Sequence, residues 1–173
     1  MKKTFLFLTL IAAIAMVVTG CKKDDDKITK EEFADKLIGK GSTSFTWEGN
    51  ETAKSRSWGN WSDDGTKYAV MRFDRSSATA LEGTGKLLYF KNSYKEELRD
   101  NDAKSEFTWR LTGDDLVISY RHAGWEAVHA EYNTQELIID SNGFRGTWFE
   151  SSDKKFDFIY IKSNFNDWTK YDM

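Results

Sequence analysis

The chain has 173 residues, with 25 basic and 28 acidic side chains and a net charge of −3. It contains no proline and one cysteine, whereas 15% of its residues are aromatic. A mildly acidic chain without a basic cluster argues against nucleic acid as a partner. A single cysteine excludes an internal disulfide, and without proline the chain must turn corners with Gly, Asn, Asp and Ser.

The first twenty residues have the pattern of an export signal. Lys2 and Lys3 form a short basic region, and the run from Phe5 to Val18 contains one polar residue, Thr9. The run has the length of a signal-peptide core and is short for a membrane span. The alternative, a buried core helix, would usually show a polar face. The sequence therefore predicts a signal peptide over residues 1–20.

The residues that follow this run explain the lone cysteine. Val18-Thr19-Gly20-Cys21 resembles a lipobox, the site at which a lipoprotein signal peptidase cuts before a lipid-modified cysteine, although Leu and then Ala or Ser are commoner at its first two positions. Small side chains before the cut admit the protease, and the thiol accepts the diacylglyceryl group. Palmitate-type acyl chains contribute about 0.8 kcal/mol per buried CH₂. We therefore expect Cys21 to carry a stable lipid anchor.

Residues 21–28 are expected to form a solvated tether, because the charges of Lys22–Lys27 cannot collapse. An acidic tract just after a lipidated cysteine resembles the surface-export signal of Bacteroides-type lipoproteins. Lys22 also replaces the Asp that holds some lipoproteins at the inner membrane. This resemblance implies the outer membrane and its outward-facing side, with a periplasm-facing position as the alternative. Removing residues 1–20 leaves 23 basic and 28 acidic side chains, a net charge of −5.

Residues 29–173 are expected to form one domain, since roughly 140 residues can enclose a core. Its first element is predicted to be a helix from about residue 30 to 38. Thr29-Lys30-Glu31-Glu32 fits a capping box, in which the first and last side chains satisfy each other's backbone N–H groups. Gly39 is placed to end the helix in a left-handed conformation.

Beyond residue 41 the apolar residues recur with a period of two, which is typical of half-buried strands. Phe107, Trp109 and Leu111 alternate with polar residues, and Ser141-Asn142-Gly143 is a strong hairpin signal. The predicted strands are Ser44–Trp47, Lys67–Phe73, Ala78–Glu82 (the weakest), Gly85–Lys91, Glu106–Leu111, Leu116–Tyr120, Leu137–Ile139, Phe144–Phe149 and Phe156–Ile161.

Eight or nine short strands joined mostly by short turns predict an all-β fold, an antiparallel meander after a short N-terminal helix. A sheet of this length tends to close into a barrel, which removes its edges. A β-sandwich is the alternative.

The order of several motifs resembles the lipocalin-like lipoproteins of Bacteroides-type bacteria, which are small calycin-type barrels on lipid anchors. The likeness covers roughly residues 31–162. It rests on Leu37-Ile38-Gly39, Glu82-Gly83-Thr84-Gly85, the run from Phe107 to Ile118, and Tyr132 ahead of Glu136-Leu137-Ile138-Ile139. It implies a barrel, an apolar-ligand cavity and no catalytic residues. The chain departs from the family at Gly41, where such proteins usually have a tryptophan that closes the barrel floor; here the nearest one is Trp47.

Residues for catalysis or cofactor binding are few. His122 and His129 are expected to be surface or sheet residues, and no nucleophile elbow, phosphate-binding loop or zinc motif is present. Asp63-Asp64-Gly65 and Asp114-Asp115 are interpreted as turns rather than calcium or glycosidase sites. An enzyme would need a polar cluster inside the barrel, and the predicted strand faces offer none. We therefore expect no enzyme activity, no metal and no cofactor.

The segment Glu48–Thr66 is predicted to be a long polar loop over the barrel mouth. It carries Trp58 and Trp61, which either cover a ligand or fold back to plug the barrel. With Trp109 and Trp148 on the strand faces, they are the candidate ligand-binding residues. The first hypothesis is a module that binds a small apolar or amphipathic ligand. The alternative is a structural or interaction module that docks onto an envelope protein or a glycan surface.

Overall fold

The computed structural model describes the backbone and side chains of residues 28–41, 43–100, 103–120 and 137–173, and the backbone alone of residues 125–131. The predicted signal peptide, Cys21, the tether up to residue 27, His122, Tyr132 and Glu136 lie outside the described residues, as does the side chain of His129.

The predicted helix is confirmed as α1, Lys30–Ile38. The Glu32 backbone N–H donates to the Thr29 hydroxyl at 3.1 Å, and the Thr29 N–H donates to the Glu32 carboxylate at 2.9 Å, so both halves of the capping box form. Gly39 ends the helix with a positive φ of 108°. Its ψ of 168° is extended, however, so the predicted left-handed conformation is wrong.

The structure confirms the antiparallel all-β prediction. The described residues contain nine strands: β1 Thr46–Ser57, β2 Asn60–Arg75, β3 Glu82–Phe90, β4 Lys104–Thr112, β5 Asp115–Tyr120, β6 Trp125–Glu131, β7 Leu137–Asp140, β8 Gly143–Ser151 and β9 Lys154–Ser163.

These strands form one sheet, in the order β6-β5-β4-β3-β2-β1-β9-β8-β7. β1 therefore pairs with both β2 and β9, which brings the first and last strands together. β6 pairs in addition with β8, through the backbone of His129 and Phe149. The meander thus curls into a barrel-like shape made of one sheet, not of the two sheets of a sandwich.

The prediction of a loop over Glu48–Thr66 is wrong. This segment lies in a long hairpin, in which β1 and β2 pair from Thr46 opposite Arg72 to Ser57 opposite Asn60. The strand pattern is hidden because inward-facing positions of β1 carry Gly49 and Glu51 instead of apolar residues.

Two β-bulges account for further differences from the predictions. Asp63-Asp64-Gly65 is not a turn, because the register of β1 and β2 shifts there and leaves Asp64 unpaired. β6 was not predicted because a register shift opposite Ile118 and Ser119 breaks its alternation.

The weakest predicted strand, Ala78–Glu82, is also wrong, since residues 76–81 form turns and bends and β3 begins at Glu82.

α1 closes one end of the barrel. The indole Nε1 of Trp47 donates to the Leu37 carbonyl at 2.7 Å, and the Trp47 ring packs edge-to-face on Phe144. An ion pair of 2.7 Å between Asp35 and Arg75 ties the helix to the end of β2. Trp47, rather than a residue at position 41, therefore closes this end.

A second apolar cluster lies on the outer face of the sheet. Val70, Leu88 and Phe90 are covered there by Trp168 and Tyr171. These two aromatic residues belong to a C-terminal 3₁₀ helix, Asp167–Tyr171. The end of the chain thus packs against the barrel.

Candidate ligand-binding site at the open end of the barrel

The side chains that face the barrel interior change along its length. Near α1 they are buried and mostly aromatic, including Trp47, Phe73, Phe107, Phe144 and Phe158. At the opposite end, residues on the same inner face are only half-buried. We call this the open end and define it by Ala53, Lys67, Tyr89, Ser105, Tyr120 and Phe156.

Strand pairing places these residues on the inner face. Lys67 lies opposite the buried Glu51, Tyr89 opposite the buried Ala69, and Tyr120 opposite the buried Phe107. Directly paired residues of antiparallel strands point to the same face of the sheet. The barrel is therefore packed at its α1 end and accessible to solvent at the open end.

A buried carboxylate lies where the packed interior meets the open end. Glu51 is 3% exposed, and each of its oxygens accepts a hydrogen bond from a tyrosine. The Tyr89 hydroxyl donates at 2.7 Å and the Tyr160 hydroxyl at 2.8 Å. Burial raises the pKa of Glu51, although the two hydroxyl donors and Lys67 oppose this effect. Burial and the Glu51 charge raise the pKa values of Tyr89 and Tyr160, so both remain proton donors at neutral pH.

Lys67 is the cation nearest this carboxylate along the inner face. Its Nζ lies 4.5 Å from the centre of the Tyr89 ring, which is within the range of a cation–π contact. Burial lowers the pKa of Lys67, the charges of Arg99 and Lys154 lower it further, and the charges of Glu51 and Asp100 oppose this effect. Among the residues that the structure describes, none accepts a hydrogen bond from Lys67 Nζ.

Trp148 contributes a second donor to this region. Its ring is buried and stacks on Phe158, with the ring centres 4.6 Å apart. Its Nε1 lies beside the Tyr160 hydroxyl but makes no hydrogen bond of good geometry within the described part of the chain. Each oxygen of Glu51 thus accepts one hydrogen bond, while Lys67 Nζ and Trp148 Nε1 donate none to a described residue.

The prediction that the inner strand faces carry no polar cluster is therefore wrong. Glu51 was missed because it lies in the segment interpreted as a loop. Lys67 could have been found, since it alternates with Ala69, Met71 and Phe73 and so shares their face. Each of these placements depends on strand register, which determines the face on which a residue lies.

The structure places the candidate tryptophans in two different regions. Trp109 and Trp148 are each 2% exposed and belong to the packed interior. Trp58 is fully exposed at the hairpin tip. Trp61 is 36% exposed; it lies on the outer face opposite Arg56, 4.8 Å from Lys155 Nζ. The structure therefore does not bring these four residues together, and their role in binding a ligand stays a prediction.

The tip of the hairpin is conformationally unusual. Trp58 and Gly59 form a two-residue turn with φ values of 51° and 86°, and such a pair of positive values favours Asn-Gly. A bulky residue at positive φ is a genuine outlier that costs about 1 kcal/mol or more. Trp58 has no compensating packing, because it is fully exposed.

Trp58→Asn is expected to stabilise the fold by about 0.5–1 kcal/mol, because asparagine tolerates positive φ better than tryptophan. The urea midpoint of unfolding should rise accordingly. The control is Trp58→Ala, which leaves the backbone strain in place and should leave the midpoint nearly unchanged. A lower midpoint for Trp58→Asn would mean that the Trp58 ring supports the fold.

Glu51→Gln is expected to change how stability depends on pH. Below pH 4.5 the carboxyl group is protonated in both the folded and the unfolded chain. Because its folded pKa is the higher one, the unfolded chain releases the proton first as pH rises, and wild-type stability falls until the folded pKa is passed. A difference of one pKa unit corresponds to about 1.4 kcal/mol.

Glutamine does not titrate, so the stability of Glu51→Gln relative to wild type should increase between pH 4 and pH 8. Urea unfolding of both proteins across this range measures the difference in their free energies of unfolding. The contributions of the other titrating groups cancel in this difference. If the free energy of unfolding depends on pH in the same way for both proteins, the carboxyl group titrates alike in the folded and unfolded chains.

No group of three or more metal-ligating side chains occurs in the part of the chain that the structure describes. None of the helices in that part is long and apolar enough to cross a membrane. In comparisons with known proteins, no family, curated protein or solved structure matches this chain.

Proposed function

We propose that this protein is a lipid-anchored envelope protein that binds a small amphipathic ligand at the open end of a lipocalin-like barrel. The change from buried aromatic to half-buried mixed side chains along the inner face is the observation that carries this proposal. Small-molecule sites are typically concave and mostly apolar, with a few convergent polar groups and perturbed pKa values. Phe156 and the Tyr89 and Tyr120 rings supply apolar surface, and Lys67 supplies a polar contact.

The anchored location is supported by the sequence alone. The lipobox-like motif ends at Cys21, and the charged tether leads directly into α1 at the closed end of the barrel. On this proposal the protein sits in the outer membrane and faces outward, with a periplasm-facing position as the alternative.

We favour binding over catalysis because of how the buried polar atoms are used. Both Glu51 oxygens are occupied by tyrosine hydroxyls, which hold the carboxylate in place. A buried charge of this kind costs free energy unless it is fully hydrogen-bonded. The network therefore supports the shape of the site.

Native mass spectrometry of the intact protein, purified gently from its own host, tests the proposal. A bound small molecule, in excess of the mass of the anchor, is the expected result. Replacing Trp58 and Trp61 together by alanine tests their part in binding, with Ile159→Ala/Ile161→Ala as a control that removes exposed apolar side chains elsewhere. A bound molecule retained in full by the Trp58/Trp61 variant would remove both tryptophans from the site. Protein that is always empty would contradict the proposed function.

The alternative, an interaction module, is favoured by Trp58 alone. A fully exposed indole at a strained position contributes nothing to folding, which makes contact with a partner its best explanation. A photo-crosslinking amino acid at position 58, irradiated in living cells, would distinguish the two envelope partners. Capture of an envelope protein would support protein docking, and capture of polysaccharide would support glycan docking.

A further inference from the structure

The hydrogen-bonding state of the open end indicates which ligands it can accept. Glu51 is its buried acceptor, and the Tyr89 and Tyr160 hydroxyls already occupy both of its oxygens. Lys67 Nζ is a donor on the inner face of this end, and it donates no hydrogen bond to a described residue. A ligand that contacts Lys67 at this end must therefore bring an acceptor.

The charges around Lys67 favour an anion over a cation. Lys154, the neighbouring cation, is paired with Glu150 at 2.7 Å, so that pair is locally neutral. Lys67 forms no salt bridge with a described residue, although the charges of Glu51 and Asp100 raise its pKa. It lies on the inner face, half-buried at the open end. An incoming ammonium group would meet the like charge of Lys67, whereas Glu51 is buried, with each of its oxygens accepting from a tyrosine hydroxyl. A carboxylate or phosphate would instead form a charge-assisted hydrogen bond with Lys67.

We propose that the open end binds an amphiphile with an anionic head group, a carboxylate or a phosphate, and that Lys67 holds this head group. This inference rests on the proposed function and specifies its ligand class. The alkyl chain contacts the apolar surfaces of Phe156 and the Tyr120 ring, which line the same end. Lys67 lies on β2 and its stem packs beside the Tyr89 ring, so the charge is presented by a rigid part of the barrel.

Four ligands with one dodecyl chain test the head group: dodecanoate, dodecyl phosphate, dodecanol and dodecylamine. The whole mature chain from residue 21 is used, with Cys21→Ser so that it carries no acyl chain of its own. Isothermal titration should show that at least one of the two anions binds more than tenfold more tightly than dodecanol, and that dodecylamine binds most weakly. Comparison of dodecanoate with dodecyl phosphate identifies whether fatty acids or phospholipid-type head groups are preferred.

Lys67→Met keeps most of the side-chain volume and removes the charge. It should weaken binding of the preferred anion at least tenfold and leave dodecanol binding within about twofold, because the apolar contacts persist. Lys67→Arg should retain the preference for anions. The matched control is Lys86→Met, which removes a charge from the outer face of β3 and should change nothing. Urea unfolding of each variant establishes that it is folded.

The failure of this inference is distinguishable from failure of the proposed function. If dodecanol binds as tightly as both anions, or if Lys67→Met weakens all four ligands equally, the anionic head group is wrong while ligand binding stands. If wild-type protein binds none of the four, both proposals are wrong.

Discussion

Cys21→Ala is expected to abolish lipid attachment completely. The Cys21 thiol is the only one in the chain, and no other side chain can accept the diacylglyceryl group by the same chemistry. Because the signal peptidase cuts before a lipid-modified cysteine, the variant should also retain residues 1–20. Metabolic labelling with an alkyne analogue of palmitate and the intact mass of the protein measure both effects. Wild type should be labelled and shortened, whereas the variant should be unlabelled and full-length.

Lys22→Ala is the control for this experiment, because it changes the adjacent residue and leaves the lipobox-like motif intact. It should be labelled and cut as wild type is. Label on the Cys21→Ala variant, or a wild-type chain that begins at an unmodified Cys21, would contradict the proposed anchor.

Gly83→Ala is expected to destabilise the fold by about 3 kcal/mol or more, which exceeds the usual cost of overpacking. A Cβ atom at position 83 would lie 1.9 Å from the Asp74 carbonyl oxygen and 2.9 Å from Trp109 Nε1. This indole donates to the same carbonyl at 3.0 Å, so the new atom would disrupt a partly buried hydrogen bond as well. The obstructing carbonyl belongs to the backbone of β2 and cannot rotate away as a side chain could.

Urea unfolding of Gly83→Ala should show a much lower midpoint than wild type, or no cooperative transition at all. The matched control is Thr84→Ala, the next residue of β3, which is exposed. Thr84→Ala should lower the free energy of unfolding by less than about 1 kcal/mol, which is the span of strand propensities. A midpoint for Gly83→Ala equal to that of Thr84→Ala would show that β2 and β3 can move apart at no cost.

Gly83 also shows how a local motif acquires its meaning from tertiary structure. Strand pairing places Gly83 opposite Trp109 and Gly85 opposite Phe107. The two aromatic rings fill the space that side chains at these glycines would need. In the sequence these glycines are part of a motif that resembles a family pattern, and their physical reason lies in aromatic residues more than twenty positions later.

Elements with strong local signals were predictable. α1 was predicted within its observed limits because a capping box and an apolar face lie within ten residues. β4 and β5 were predicted because their apolar residues alternate, and β8 was predicted because it follows the hairpin signal Ser141-Asn142-Gly143. β1 was predicted only at its first residues, and β6 not at all, because glycine, charged residues and a bulge break their alternation.

The candidate site was predictable only in part, for a related reason. Aromatic residues suggested a site at Trp58 and Trp61, whereas the structure places the polar groups of the open end at Glu51 and Lys67. Glu51 is charged and stands in a polar segment, so its sequence neighbours indicate exposure. Its burial depends on tyrosines 38 and 109 positions away.

The sequence by itself thus determined the all-β class, the N-terminal helix and most of the strands, since these follow from contacts between near neighbours. It also predicts the leader and the lipid anchor, which are linear signals. Only the tertiary structure decided that residues 48–66 form a hairpin, that the interior is packed at one end and open at the other, and that Lys67 faces inward beside Glu51. Those properties depend on strand register and on pairs of residues far apart in the chain, which only the closed sheet brings together.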